Sequence, residues 1–494
     1  MTFDDLLDEN LQLKDQIAAH TALLAEREHE IEKLKRIIAS ANKKAYGTKS
    51  EKLDQIKFSF NLPEPEKQES LEKEVTVERH TRTVRKGRKP LPSDLPREEI
   101  IYEPEATHCT CCNHELVKIG EERSEELEKI PAQLKVIEHI RIKKACPACK
   151  GAGVLVAPLP ATIFPLERAR PGAGLLADII VSKYVDHLPL HRQEQIFLRQ
   201  GIELPRQRMC DWNAGVADLM ESLYCELNEE ILLSPYVPAD ETTIKVQDNE
   251  TPGKCHTGYL WGFLGPPNRV WFHYAPTRAG EVPKHLLKDF RGTIQTDAYA
   301  GYNKVLMPGQ CERIACLAHV RRKFIEVQSS AGKEAGKVLT FIAELYRAEK
   351  PARTPEARLE IRKTKSKRIM DDLMDYLHTL QGRTLPQSEL AKALRYALDQ
   401  ETEIQRILTK GTYELDNNAI EREMRPIAVG RKNYLFAGSH DGARRAAIFY
   451  SFFGTCRLNK VNPWAWLSDV LRRIGSDRSV KAADLLPHRW TPQA

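Results

Sequence analysis

Residues 236–276 read YVPADETTIKVQDNETPGKCHTGYLWGFLGPPNRVWFHYAP. Three runs within them (236–246, 258–265 and 269–276) are rich in Val, Ile, Thr and aromatic residues and are separated by turn formers, the pattern of a three-stranded antiparallel meander. Outward from this stretch the periodicity changes. EVPKHLLKDF (281–290) reads as a helix, GTIQTD (292–297) as a strand ending on Asp297, AYAGYNKVL (298–306) as a second helix, and ERIACLAH (312–319) as a further strand. Residues 321–412 are mostly helical, with LTFIAELYRAEK and RIMDDLMDYLHTL as their amphipathic runs, and DNNAIEREMRP (416–426) opens a closing helix.

Strand-strand-strand-helix-strand-helix-strand followed by a helix is the order of a ribonuclease H-like α/β domain, here with a long helical insertion before its final helix. On that scaffold three carboxylates stand out: Asp240 in the first strand, Asp297 at the end of the fourth, and Glu421 in the closing helix. The first and fourth strands are neighbours in such a sheet, so acids remote in sequence converge. Gathered without a cation they repel one another. Mg²⁺, which prefers carboxylate oxygens and keeps waters, relieves this, and a pair of such ions suits phosphodiester chemistry. Asn417, Glu421 and Arg425 share one helix face. Glu423 lies roughly 200° round from Glu421 and cannot also point inward, and Glu241 faces the opposite side of the strand from Asp240. Taken alone, each acid is an ordinary surface charge. Basic residues crowd the same segments: Arg321, Arg322 and Lys323 after His319; Arg422, Arg425, Arg431 and Lys432 around Glu421; and Arg444 and Arg445. They suit phosphate contacts.

The rest of the chain reads as accessory modules. Residues 3–38 carry heptads with Phe3, Asn10, Ile17, Leu24, Ile31 and Ile38 at a and Leu6, Leu13, His20, Arg27 and Leu34 at d, the pattern of a dimeric coiled coil or of one amphipathic helix packed on its own body. A Pro-rich, charged linker follows. Its Arg85, Lys86, Arg88 and Lys89 flank Gly87, a flexible basic arm suited to a narrow minor groove. Cys109-x-x-Cys112 and Cys146-x-x-Cys149 offer four thiolates to one structural zinc, with LVKIGEE and LKVIEHIRIKKA as the hairpin of a zinc ribbon. Cys111, His108 and His114 are spare ligands for the first half. Residues 174–232 are helical, either a helix-turn-helix around Gly201 or a bundle supporting the next domain; from Arg206 onward Met209, Trp212, Val216, Leu219, Leu223, Leu227 and Ile231 share a face.

Composition agrees with a multidomain intracellular protein. The 494 residues hold 75 Lys and Arg against 69 Asp and Glu, a net charge of +6, which excludes an acidic disordered chain and permits a polyanionic partner. Eleven cysteines in a chain that opens MTFDDLLDEN, without a secretory leader, favour metal ligation in a reducing compartment over disulfides. No stretch reaches the ~18 apolar residues of a membrane span, so a cytoplasmic protein with no membrane partner is expected.

DNNAIEREMRPIAVGRKNYLFAGS, with DETTIKV and IQTDAYAGYN, resembles the insertion-sequence 66 family of bacterial DDE transposases. So do GRKPLPSDLPREEI, the paired CxxC, KYVDHLPLHRQEQIFLRQGI, LNKVNPWAWLSDVLRRI and LLPHRW, in order along nearly the whole chain, with departures at CTCCNH, Ala298 and Leu317. The resemblance implies an Asp240, Asp297 and Glu421 triad binding Mg²⁺ or Mn²⁺, Mg-dependent DNA cleavage and strand transfer, and binding to the element's terminal inverted repeats. It maps DNA contacts onto Arg425 and Lys432, with His319 and Arg425 assisting phosphate binding, and it implies accessory proteins encoded by the same element and a nucleoid-associated location. The rival readings are a catalytically inactive DNA-binding protein or repressor with a zinc ribbon, and a nuclease without preference for element ends. The expected architecture is multidomain α+β: coiled-coil helix (1–45), basic Pro-rich linker (46–100), zinc ribbon (101–160), helical region (165–233), ribonuclease H-like first part (234–320), helical insertion (321–412), closing helix (413–458) and C-terminal helical tail (459–494).

Overall fold

The computed structural model describes residues 134–145, 154–157, 165–166, 171–247, 253–307, 309–474 and 481–492. The expected coiled coil, the arm bearing Arg85, Lys86, Arg88 and Lys89, and the expected zinc ligands Cys109, Cys112, Cys146 and Cys149 lie outside these residues. The chain divides into two units, one of residues 48–157 and one of 1–47 with 158–494.

In the smaller unit Lys143–Ala145 (β1) pairs antiparallel with Val154–Val156 (β2), and the Ala157 N–H reaches the Ile142 carbonyl at 3.2 Å. The expected strand LKVIEHIRIKKA is thus confined to its last three residues. Among the described residues β2 pairs with it at three positions, and Val136, Ile137 and Ile140 are exposed.

The larger unit is built on a five-stranded mixed sheet of β3 (Tyr236–Gln247), β4 (Cys255–Gly265), β5 (Arg269–Ala275), β6 (Gly292–Gln295) and β7 (Cys311–Ile314), in the order β5-β4-β3-β6-β7. β3, β4 and β5 form the antiparallel meander; β6 runs parallel to β3, and β7 parallel to β6. Pairing therefore changes from antiparallel to parallel at β3, which runs on past the end of β6 paired with β4.

Helices α1 (Ala173–Tyr184), α3 (Arg206–Leu219) and α4 (Glu221–Leu232) share one apolar core with the sheet. The expected long helix from Arg206 is broken at Met220, yet Met220 N–H to Val216 O and Tyr224 N–H to Met220 O, both 3.0 Å, carry its hydrogen bonds through. Met209, Val216, Leu223, Leu227 and Ile231 are buried as their spacing requires. This core supports the bundle reading. α2 (Leu190–Arg199) is joined to α3 through Gly201, whose φ of +80° suits glycine, and packs Leu190 and Phe197 on Met209 in a small cluster of its own.

Two expected elements are shorter. α5 (Glu281–Leu286) takes only part of EVPKHLLKDF, and AYAGYNKVL forms a single 3₁₀ turn, Ala300–Lys304. The turn is pinned by its aromatic packing: Tyr302 lies 5.7 Å from the Trp261 ring, and a Cβ on Gly301 would fall 2.2 Å from the Tyr299 ring. ERIACLAH is a strand only to Ile314. Beyond it the Ala315 and Leu317 N–H groups turn to the carbonyls of Glu403 (3.2 Å) and Leu415 (3.0 Å), and α6 (Leu317–Glu326) begins. The insertion continues as α7 (Gly332–Glu349), α8 (Pro355–Ile361), α9 (Lys367–Gln381), α10 (Glu389–Leu398) and α11 (Glu401–Arg406) around a second apolar core that includes Phe324, Ile342, Leu373 and Leu394.

α12 (Asn418–Tyr434), α13 (His440–Leu458) and α14 (Pro463–Arg473) close the unit. α13 lies along the outer strand β5: Val270 N–H donates to Thr455 Oγ1 (3.2 Å) and Phe272 N–H to Ser451 Oγ (2.8 Å). Four helical residues rise about 6 Å and two strand residues about 6.8 Å, so the hydroxyls repeat in step with the free edge donors and satisfy them.

Candidate active site

Asp240 and Asp297 come from parallel neighbours. The register pairs Pro238 with Gln295, so each acid stands two residues past the last bonded pair, on the same face of strands that run about 4.8 Å apart. Asp240 Oδ1 accepts the Glu241 N–H (2.9 Å), and Asp297 Oδ1 accepts the Tyr299 N–H (2.9 Å).

Glu421 arrives on α12, whose start is tied to β3. The fully buried Asn417 donates from Nδ2 to the Ala239 carbonyl (3.3 Å) and from its N–H to Cys316 Sγ (3.3 Å). One turn later the helix carries Glu421 near enough to Asp240 to act on its carboxyl. Asp416 accepts the Asn418 N–H on Oδ1 (3.0 Å) and the Tyr346 hydroxyl of α7 on Oδ2, so the insertion also holds this first turn. Further along α12, Arg431 donates to Thr242 Oγ1 (3.0 Å) and Thr243 Oγ1 (3.1 Å) on β3.

The three carboxylates share one electrostatic environment. Burial pushes the Asp240 carboxyl up to about 8, with Glu241, Glu421 and Asp297 adding to the rise and the Glu241 N–H opposing it. Glu421 lies 3.8 Å from His319 Nε2 and 3.8 Å from Arg322 Nη2, beyond hydrogen-bond reach, and its buried Oε1 has no hydrogen-bond partner. His319 Nδ1 is likewise buried and unpartnered, and burial lowers the His319 pKa against the pull of Glu421. Its carboxylates offer the oxygen donors that a hard divalent cation takes, with His319 and Arg322 beside Glu421.

The two rival acids are engaged elsewhere. Glu241 accepts from Arg278 Nε (2.7 Å) and from the Tyr302 hydroxyl (3.0 Å). Glu423 is buried and pairs with Arg457 of α13. Among the expected cations, Arg322, Arg425 and Lys432 are exposed and Arg321 and His319 half-buried. Arg431, half-buried, turns Nη1 to Thr242 and Thr243 on β3, and Arg444 pairs with Glu221 at 3.4 Å.

Sequence reasoning missed Cys316 and the anchoring role of Asn417. The Cys316-x-x-His319 spacing was the available signal: Cys316, His319 and Glu421 bring donor atoms within 4.8 Å of one another. Burial pushes the Cys316 thiol up to about 12, so at neutral pH it stays protonated and serves as a hydrogen-bond acceptor for α12.

Comparison with known families covers most of the chain. Residues 168–445 match the model described as transposase IS66 family, residues 106–150 the zinc-finger binding domain of transposase IS66, residues 33–100 a model described as transposase C of IS166 homeodomain, and residues 451–488 the IS66 C-terminal element. By class, the protein is a transposase. It belongs to the IS66 transposase family. Similar proteins come from Sinorhizobium fredii (strain NBRC 101917 / NGR234): the uncharacterized protein y4jD is 37% identical over 421 residues, 81% of either chain; y4hP is 34% identical over 432, 82% of this chain and 77% of its own; y4qI is 32% identical over 526, 98% and 96%. Among the described residues no helix is long and apolar enough to cross a membrane.

Proposed function

We propose that this chain is a DDE transposase of a bacterial insertion sequence, whose ribonuclease H-like domain uses Asp240, Asp297 and Glu421 to hold Mg²⁺ or Mn²⁺ and cut and join DNA. The observation that carries this reading is the parallel pairing of Pro238 with Gln295, which sets Asp240, within β3, level with Asp297, two residues past the end of β6, together with the influence of Glu421 and Asp297 on the Asp240 carboxyl. When bound, the metal supplies activation of an attacking hydroxyl and charge neutralisation at the phosphodiester. Asp240 orients its carboxylate from within β3 and Asp297 from just past the end of β6. Glu421 adds a third from a helix fixed at Asn417 and Arg431. His319, Arg321, Arg322, Arg425 and Lys432 line the approach and bind backbone phosphates.

Beyond the site, the same reading gives Cys109, Cys112, Cys146 and Cys149 a structural Zn²⁺. Arg85, Lys86, Arg88 and Lys89 bind DNA near the terminal inverted repeats, and the heptads of residues 1–45 form a homodimer that holds two ends. Accessory proteins of the element assist, in the cytoplasm at the nucleoid. Asp297→Asn is the test: on a duplex carrying the element end, with Mg²⁺ present, it abolishes nicking and joining while a mobility shift still reports the bound end. Wild-type nicking and joining by this variant overturns the assignment. A wild type that binds ends but never nicks favours the repressor reading, and cleavage indifferent to the ends favours the nonspecific nuclease.

A further inference from the structure

A different set of donors meets Glu421 where the insertion begins. Cys316 caps α6, and His319 lies in its first turn. Both reach α12: the Asn417 N–H donates to Cys316 Sγ (3.3 Å), and Glu421 Oε1 lies 3.8 Å from His319 Nε2. A sulfur, an imidazole nitrogen and a carboxylate oxygen therefore stand within 4.8 Å of one another. Some point lies within ~2.8 Å of any three atoms so spaced, and about 0.5–0.8 Å of side-chain movement turns that into the roughly 2.0–2.3 Å bonds of a tetrahedral zinc. Glu421 Oε1 and His319 Nδ1 are shielded from solvent, and no group among the described residues bonds them. Arg322 stands 3.8 Å from the other oxygen, Oε2, on an exposed side chain. The donor set is the wrong one for Mg²⁺, which takes oxygen; thiolate with imidazole selects Zn²⁺ and its thiophilic relatives. The Asn417 N–H suits a metal-bound thiolate even better than a thiol, because a charged acceptor makes the stronger bond, and such outer contacts orient ligating side chains.

We propose that Cys316, His319 and Glu421 form a site for Zn²⁺ or another thiophilic divalent cation, and that this cation switches the protein off by drawing Glu421 away from Asp240 and Asp297. Binding exchanges the thiol proton for the metal; the proton leaves to the buffer, and water takes the fourth position. A Glu421 carboxylate turned toward zinc, with the zinc's own charge beside it, holds Mg²⁺ less well. The same bonds tie the first turn of α6 to α12, so the start of the insertion and the helix that delivers Glu421 lock together. The metal site stands on the geometry of these three side chains alone, whereas the off state rests on the function proposed above.

The test titrates Co²⁺ into the full chain and reads the near-ultraviolet band of a cobalt–thiolate bond and the visible bands of a tetrahedral ion. Cobalt entering other cysteines adds the same background to every variant, so the reading is a difference between them. The wild type exceeds Cys316→Ser by the band of one thiolate, His319→Gln loses the matching visible bands, and Cys311→Ser, whose buried thiol lies outside the cluster, keeps the wild-type spectrum. Zn²⁺ added afterwards erases the difference. Spectra that coincide for the wild type, Cys316→Ser and His319→Gln overturn the site. A nicking assay on the element end then reads the switch: Zn²⁺ at ~1% of the Mg²⁺ concentration slows the wild type about tenfold, and slows Cys316→Ser less than about twofold relative to its own zinc-free rate. Wild-type nicking indifferent to zinc, in a chain that shows the cobalt difference, overturns the off state. A chain that shows that difference and nicks with no metal overturns the function proposed above and leaves the site standing.

Discussion

Asp240→Asn should make the metal-free protein more stable, although it removes one of the proposed catalytic acids. The Asp240 carboxyl moves from its ordinary 3.8 to about 8, about four units; at ~1.4 kcal/mol per unit the ceiling on its destabilising effect is about 6 kcal/mol. Solvent still reaches the half-buried group, and its proton is shared electrostatically with Glu421 and Asp297, so about 2–3 kcal/mol is expected. The sign follows from linkage. Below pH ~4 the carboxyl is protonated in both folded and unfolded chains and costs nothing. As pH rises the unfolded chain releases the proton that the folded one retains, so the penalty grows until about pH 8 and is constant above it. Asparagine has no such proton. Thermal unfolding in EDTA should therefore show variant and wild type melting together at pH 4 and the variant about 5 °C higher at pH 8, at ~2 °C per kcal/mol. Added Mg²⁺ should narrow the gap by stabilising the wild type. Equal melting temperatures at pH 8, or a wild type that gains on the variant as pH rises, would refute the claim that burial and the neighbouring acids hold the Asp240 carboxyl protonated.

Three further outcomes follow from the same geometry. Asn417→Ala leaves the Ala239 carbonyl without its 3.3 Å donor, costs about 1–3 kcal/mol in urea unfolding, and lets Glu421 drift, lowering the nicking rate at least tenfold; an unchanged rate would show that the anchor is dispensable. Glu421→Gln weakens Mg²⁺ binding by calorimetry, whereas Glu423→Gln, which only frees Arg457, does not; equal losses would remove the distinction between the two faces of α12. Arg362, fully buried, pairs with Glu349 at 2.7 Å and donates to the Ile407 and Tyr413 carbonyls at 2.8 Å. Arg362→Met strands that carboxylate and costs about 3–5 kcal/mol, and the double change with Glu349→Leu recovers most of it.

How much of this was legible depended on the range of the interaction. Strand alternation separated Asp240 from Glu241, and helical spacing separated Glu421 from Glu423; both are local rules, and Arg278 and Arg457 hold the excluded acids as those rules require. The end of β7 was not legible. ERIACLA stays apolar past Ile314 because burial continues there, and a short apolar run does not distinguish a strand from a buried helix start. Arg431 on Thr242, Tyr346 on Asp416 and Thr455 on β5 join residues far apart in sequence, which no periodicity encodes. The arm, the heptads and the paired cysteines fall outside the described residues.

Residue 421 reaches the site only after Asn417 has met β3 and Asp416 has met α7. Both contacts await the release of the polypeptide past residue 417 from the ribosome. Any product truncated ahead of α12 lacks α13 as well, and leaves the β5 edge donors without Thr455 and Ser451.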